Sequence, residues 1–118
     1  MSAGGISVHA VDVSRGRPAQ GMQVDIYALE GVRKLIANGK LAANGLLDHP
    51  TAKGDGIKVG TYEVIFHVGD YFRATGAPTT TPPFLDLVPF RFTVADVAQH
   101  YHLPFKFTPW GFSLFRGS

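Results

Sequence analysis

The stretch TYEVIFHVG, residues 61–69, alternates with a period of two, so that Tyr62, Val64, Phe66 and Val68 face one way. Successive side chains of a strand point to opposite faces, and this segment therefore predicts the best-defined strand of the chain. Directly after it, DYFRATG (70–76) opens on Asp70 as an N-cap and closes on Gly76, which predicts one short helix. APTTTPP (77–83) carries three prolines, which oppose ladder pairing and helix alike, and predicts a loop. LVPFRFTVAD (87–96), HYHLPFKFTP (100–109) and GFSLFRGS (111–118) supply further strands.

Upstream the pattern repeats. ISVHAVD (6–12) sets Ile6, Val8 and Ala10 against Ser7, His9 and Val11, a half-buried strand with His9 on the wetter face. RGRPAQG (15–21) reads as a turn, MQVDIYAL (22–29) as a strand with Met22, Val24, Ile26 and Ala28 on one side, and RKLIANG (33–39) as a third strand. In ANGLLDHP (43–50) the Asn-Gly pair favours positive backbone dihedrals, so a tight turn leads into a short edge strand. AKGDGIKVG (52–60) is a glycine-rich connection without the strand and helix context of a phosphate loop. About eight short strands with turns every ten or so residues predict an all-β, two-sheet sandwich with one short helix.

With 118 residues the expectation is a single domain over 1–118, long enough to fold without staples. The absence of cysteine removes disulfides and thiolate ligands, and redox chemistry is not expected. The 11 basic and 9 acidic residues are spread out with no run that could track a phosphate backbone, which argues against nucleic acid. MSAGGISVHAVD has no basic segment followed by an apolar core, and no stretch of about 18 apolar residues occurs, so the expectation is a soluble, unexported, cytoplasmic chain that does not engage a membrane.

HYHLPFKF (100–107) places Tyr101, Leu103, Phe105 and Phe107 on the core face and His100, His102, Pro104 and Lys106 on the other. Periodicity alone is satisfied by solvated imidazoles, because outer faces are polar by default. His49 and His67 are expected to be structural or exposed. Trp110, in a TPWGF turn, is expected to pack at a subunit contact.

The segments ISVHAVD, YEVIFHVGDYF, HYHLPF and the closing FRGS stand in the order, and at about the spacing, seen in 5-hydroxyisourate hydrolases. The chain resembles this transthyretin-like family over essentially its whole length. The His-x-His-x-Pro strand combined with an Arg-Gly-Ser at the end of the chain is specific, whereas either alone is weak. The resemblance implies a transthyretin-like sandwich of two four-stranded sheets with one short helix, assembled as a homotetramer with active sites in a channel between dimers. It implies a small-molecule substrate, the bicyclic lactam made by urate oxidation in purine degradation, whose ring amide is hydrolysed without cofactor or metal. The family's essential histidines fall on His9 and His102, and its terminal tetrapeptide falls on Phe115, Arg116, Gly117 and Ser118.

Hydrolysis of a cyclic amide near neutral pH needs a positioned water, a group that titrates near neutrality to take its proton, and a cation or donors where the oxyanion develops. His9 and His102 meet the second need. Arg116 would grip substrate oxygens through its planar fork, and Ser118 would offer a hydroxyl and the terminal carboxylate. A zinc site on His9, His100 and His102 would need orienting partners the sequence does not display, so no metal is expected. Two positions depart from the family pattern. Its turn usually reads Asp-Gly-Arg, with the Arg counted as catalytic, whereas NGLL puts Leu46 there; its terminal Tyr is Phe115. Three functions remain open on these residues: the family reaction with Lys106 or Arg116 supplying the cation, hydrolysis of a related and more apolar substrate, or small-molecule binding without catalysis.

Overall fold

The computed structural model describes residues 4–117. Its strands follow one another as β1 (Gly5–Asp12), β2 (Arg17–Pro18), β3 (Gln23–Ala28), β4 (Lys34–Lys40), β5 (Gly60–His67), β6 (Leu87–Val94), β7 (His100–Thr108) and β8 (Gly111–Leu114), with helix α1 (Val68–Thr75) between β5 and β6. They form two four-stranded sheets, ordered β2-β1-β7-β8 and β4-β3-β5-β6. Every neighbouring pair is antiparallel except β1 and β7, which run parallel. The transthyretin-like two-sheet sandwich with one helix is therefore the architecture of the chain.

Alternation builds the core. Ile6, Val8 and Ala10 of β1 and Tyr101, Leu103, Phe105 and Phe107 of β7 are buried against Val24, Ile26, Tyr62, Val64 and Phe66 of the other sheet. The Phe66 ring stacks on Phe105 with centroids 4.1 Å apart, joining the sheets at their centre. Burying one such ring contributes about 1.5–3 kcal/mol. The outer faces of β1 and β7 are left to Ser7, His9, His100 and His102.

The helix begins earlier than an Asp70 cap predicts. Val68, Tyr71 and Phe72 recur at i, i+3 and i+4 and are all buried, so Val68 satisfies the helical period as well as the strand period. Asp70 lies in the first turn, where it accepts a hydrogen bond from Arg73 Nη1 at 2.7 Å. The backbone can turn here because Gly69 donates its N–H to the Asp86 carbonyl at 2.9 Å, and a side chain on Gly69 would overlap the Asp86 carboxylate. Tyr71 then ties the helix to β1: its hydroxyl donates to the buried Asp12 Oδ2 at 3.0 Å. Burial, and then Asp12 itself, push the Tyr71 phenol up to about 12.

Two sequence expectations are corrected. No edge strand follows the Asn44-Gly45 turn; Leu46 makes one isolated bridge to His9, and the chain enters a 3-10 helix over Pro50–Lys53. Pro50 has no N–H for a ladder, and His49 Nδ1 accepts from Thr51 N at 3.2 Å, which favours the helical turn. The eighth strand comes instead from the expected turn at 15–21, where Arg17 and Pro18 pair with Asp12 and Val11. An edge position tolerates this proline. No helix among the described residues is long and apolar enough to cross a membrane.

Candidate active site

The parallel register of β1 and β7 sets Ser7 beside His102 and His9 beside Pro104. His9 and His102 thus lie on one outer face of neighbouring strands, offset by two residues, or about 7 Å of strand rise. Each is held by a different device.

His9 is fixed by the turn that follows β4. Its Nε2 lies 2.8 Å from the Asn44 carbonyl oxygen, which can only accept, so Nε2–H donates. Asn44 Oδ1 also accepts from Leu46 N at 3.0 Å, closing the turn. The turn reaches this close only through Gly45, with φ at +82°, where a Cβ would fall 2.7 Å from the Ala10 carbonyl and 3.1 Å from His9 Nε2.

His102 is fixed by Ser7 and by the C-terminal segment. Its Nδ1 lies 2.7 Å from Ser7 Oγ, and the same hydroxyl lies 2.7 Å from His100 Nε2. Its carbonyl accepts from Gly117 N at 2.6 Å. Burial lowers the His102 imidazole below the ordinary value of 6.5, and the nearby His100 and His9 lower it further. At neutral pH His102 is therefore a neutral imidazole able to take a proton.

Beside this face opens a cavity of about 330 Å³ whose lining includes Ser7, Asn44, Leu46, His49 and Lys53. Leu46, bridged to His9, adds an apolar side chain to this lining.

Of the residues singled out in the sequence, His9, His102, Leu46 and Gly117 come together here. The His102–Gly117 bridge continues the register in which β8 pairs with β7, Leu114 opposite Phe105, so Phe115 falls opposite Pro104 on the outer side; it is half exposed. Arg116 follows the other face. Its guanidinium carbon sits 4.0 Å from the centroid of the inward-facing Tyr101 ring, and Nη2 donates to Gln99 Oε1 at 3.1 Å and to the His100 carbonyl at 3.2 Å. There it lines a separate cavity of about 340 Å³ with Phe90, Phe92 and Tyr101. Within one protomer Arg116 is not brought to the histidines. Ser118 lies outside the described residues. Ser7, His100 and Asn44 gained contacts that the sequence did not assign to them. Ser7 shares the His9 face by alternation, but its meeting with two imidazoles depends on a parallel pairing between opposite ends of the chain.

Two imidazoles on one face can move protons to and from a bound water and a leaving group. Residues 6–117 match the model of the HIUase/Transthyretin family. The chain is 45% identical to 5-hydroxyisourate hydrolase 2 of Rhizobium meliloti (strain 1021), over 98% of each chain. It is 42% identical to the 5-hydroxyisourate hydrolase of Deinococcus radiodurans, over 97% of this chain and 96% of that one. Among solved structures, Klebsiella pneumoniae 5-hydroxyisourate hydrolase superposes over the whole of both chains with a TM-score of 0.79 at 28% identity. An (S)-allantoin synthase superposes with a TM-score of 0.90 at 35% identity; the match covers 99% of this chain and 44% of that one. By the extent of these matches and by its architecture, the chain belongs to the HIUase/Transthyretin family.

Proposed function

We propose that this chain hydrolyses the ring amide of 5-hydroxyisourate, and does so as a homotetramer in which the imidazole face borders a cleft between copies. The observation that carries the proposal is the placement of His9 and His102 on neighbouring parallel strands, facing the same way, with their contact partners Asn44 and Ser7 lining a cavity. The substrate is taken from what the relatives are named for.

In this mechanism a water adds to the ring carbonyl while neutral His102 takes its proton. The C–N bond then breaks, and His9 in its protonated form returns a proton to the departing ring nitrogen. Charge developing on the carbonyl oxygen needs a donor or cation. Leu46 offers neither. Lys106 is exposed on the outer face of β7, two residues past Pro104, which pairs with His9, and is the cation we assign to that charge. Arg116 can meet that charge only after leaving Tyr101, Gln99 and the His100 carbonyl. A contribution from the Ser118 hydroxyl belongs to the same proposal.

A more apolar bicyclic lactam is favoured as an alternative substrate by one observation, that Leu46, bridged to His9, lines the cavity.

The test is the decay of 5-hydroxyisourate generated by urate oxidase. Wild type is expected to exceed the buffer rate, and His102→Ala to lose about 10²–10⁴-fold of the acceleration. Wild-type decay at the buffer rate, or full activity in His102→Ala, would overturn the proposal. Assembly is checked by light scattering, which should give four times 12.7 kDa; a monomer contradicts the cleft.

A further inference from the structure

We infer that Ser7 and His100 are positioning residues that fix the proton of His102 on Nδ1 and so present its Nε2 as a lone pair. The inference deepens the hydrolase proposal by defining which nitrogen acts as base.

It follows from counting protons along four groups. The Gly4 carbonyl lies 3.1 Å from His100 Nδ1 and can only accept, so His100 carries its proton on Nδ1. With His100 neutral, its Nε2 is then an acceptor, and the Ser7 hydroxyl 2.7 Å away must donate to it. A hydroxyl has one proton. Toward His102 Nδ1, also 2.7 Å away, Ser7 Oγ has only lone pairs left, so His102 Nδ1–H must donate. A neutral His102 is left with Nε2 unprotonated. The opposite arrangement would aim the lone pair of His100 Nδ1 at the lone pairs of the Gly4 carbonyl.

Local sequence supports the anchor of this chain. Gly4 packs so closely on the 97–99 turn that a Cβ would overlap the Val97 carbonyl, and Gly5, with φ at +117°, would press a Cβ to 2.5 Å from the Ala52 carbonyl. The Gly4-Gly5 pair thus lets the chain lie where its carbonyl meets His100. Which ring nitrogen of a histidine is protonated is set by the partner of the other nitrogen, and here that partner is itself set two groups away.

The test is long-range proton–nitrogen NMR of histidine-labelled full-length protein near pH 8, above the usual imidazole range of about 6.5. The His102 signals are assigned by their loss in His102→Gln. Wild type is expected to show His102 protonated on Nδ1, Ser7→Ala to show the proton on Nε2, and Ser7→Thr to keep the wild-type form. His100→Ala is expected to flip it too, because the Ser7 hydroxyl, no longer donating to His100, then donates toward His102 Nδ1. A wild-type His102 protonated on Nε2, or one unmoved by both Ser7→Ala and His100→Ala, overturns the inference. These signals report the proton whether or not 5-hydroxyisourate is turned over, so failure here is distinct from failure of the proposed function. In the decay assay, Ser7→Ala is expected to lower kcat about 10-fold or more with KM unchanged, and Ser7→Thr to restore it.

Discussion

Gly117 lies against His102: its N–H reaches the His102 carbonyl at 2.6 Å, and a Cβ built on it would stand 3.1 Å from His102 Cδ2 and 3.2 Å from Pro104 Cδ. The C-terminal segment therefore sets the position of the imidazole through backbone contact and through the absence of a side chain. Gly117→Val is expected to displace the ring. Misplacement of a catalytic group by about 1 Å can cost about 10²-fold, so the decay rate should fall by about 10- to 100-fold. Because Gly117 lies outside the core, the thermal midpoint should stay within about 2 °C of wild type. Equal activity in the variant removes the C-terminal segment from the positioning of His102.

Away from the site, Tyr71 and Asp12 couple α1 to β1, and the coupling carries a pH signature. The phenol is raised to about 12 by burial and by Asp12. A proton held more tightly in the folded state means that stability is fully present below the unfolded value of about 10 and is lost as pH rises toward 12. Tyr71→Phe deletes this bond, which is worth on the order of 1–2 kcal/mol at neutral pH. Urea denaturation should show the gap between wild type and Tyr71→Phe closing between about pH 10 and pH 12. A gap constant across that window excludes Tyr71 as its source.

The strands that carry the site were legible because their patterns are local. Ile6, Val8 and Ala10, and Tyr101, Leu103, Phe105 and Phe107, alternate cleanly, and this places His9 and His102 outward before any partner strand is known. The direction taken by Arg116 was also written in the sequence. Phe112 and Leu114 pair with the inward Phe107 and Phe105, and Arg116 is the next residue on that period. It was assigned to substrate through the family motif, which gives residue types and no face. By contrast, the meeting of Ser7 with His100 and His102 rests on a parallel pairing across almost the full length of the chain, and no local period reports it. The 43–50 segment misled for a different reason: its turn is real, but Pro50 and the His49 cap direct residues 50–53 into a helical turn.

Leu46 gives the proposed reaction its most direct test. It is bridged to His9, lines the cavity and is exposed. In the proposed reaction an Arg there would bring a guanidinium toward the oxyanion of the hydrolysed amide. Donors of that kind are worth about 10²–10³-fold in rate. Leu46→Arg is accordingly expected to accelerate 5-hydroxyisourate decay by at least about 10-fold, with little effect on stability. If the substitution lowers the rate while wild type is active, the apolar wall itself serves the natural substrate, and a more apolar lactam becomes the compound to assay next.

In the proposed reaction His102 supplies the pH dependence. Its ionisation lies below 6.5 because burial penalises the imidazolium, and His100 and His9, when charged, penalise it further. A base must be unprotonated to act, so on the acid side kcat/KM should rise with pH through a midpoint below about 6.5. NMR titration of His102 should give the same midpoint, and His100→Gln, which removes one of the neighbouring charges, should move it upward. The stability sign follows from the same depression. The folded state binds a proton at His102 less readily than the unfolded chain, so this contribution is present above about 6.5 and is lost as pH falls through the lowered value. Replacing His102 by Gln should flatten the acid side of the stability curve in that interval. An acid limb that survives unchanged in the His102→Gln stability curve, or a His102 titration midpoint at or above 6.5, would show that the imidazole is solvated and that its neighbours leave it unperturbed.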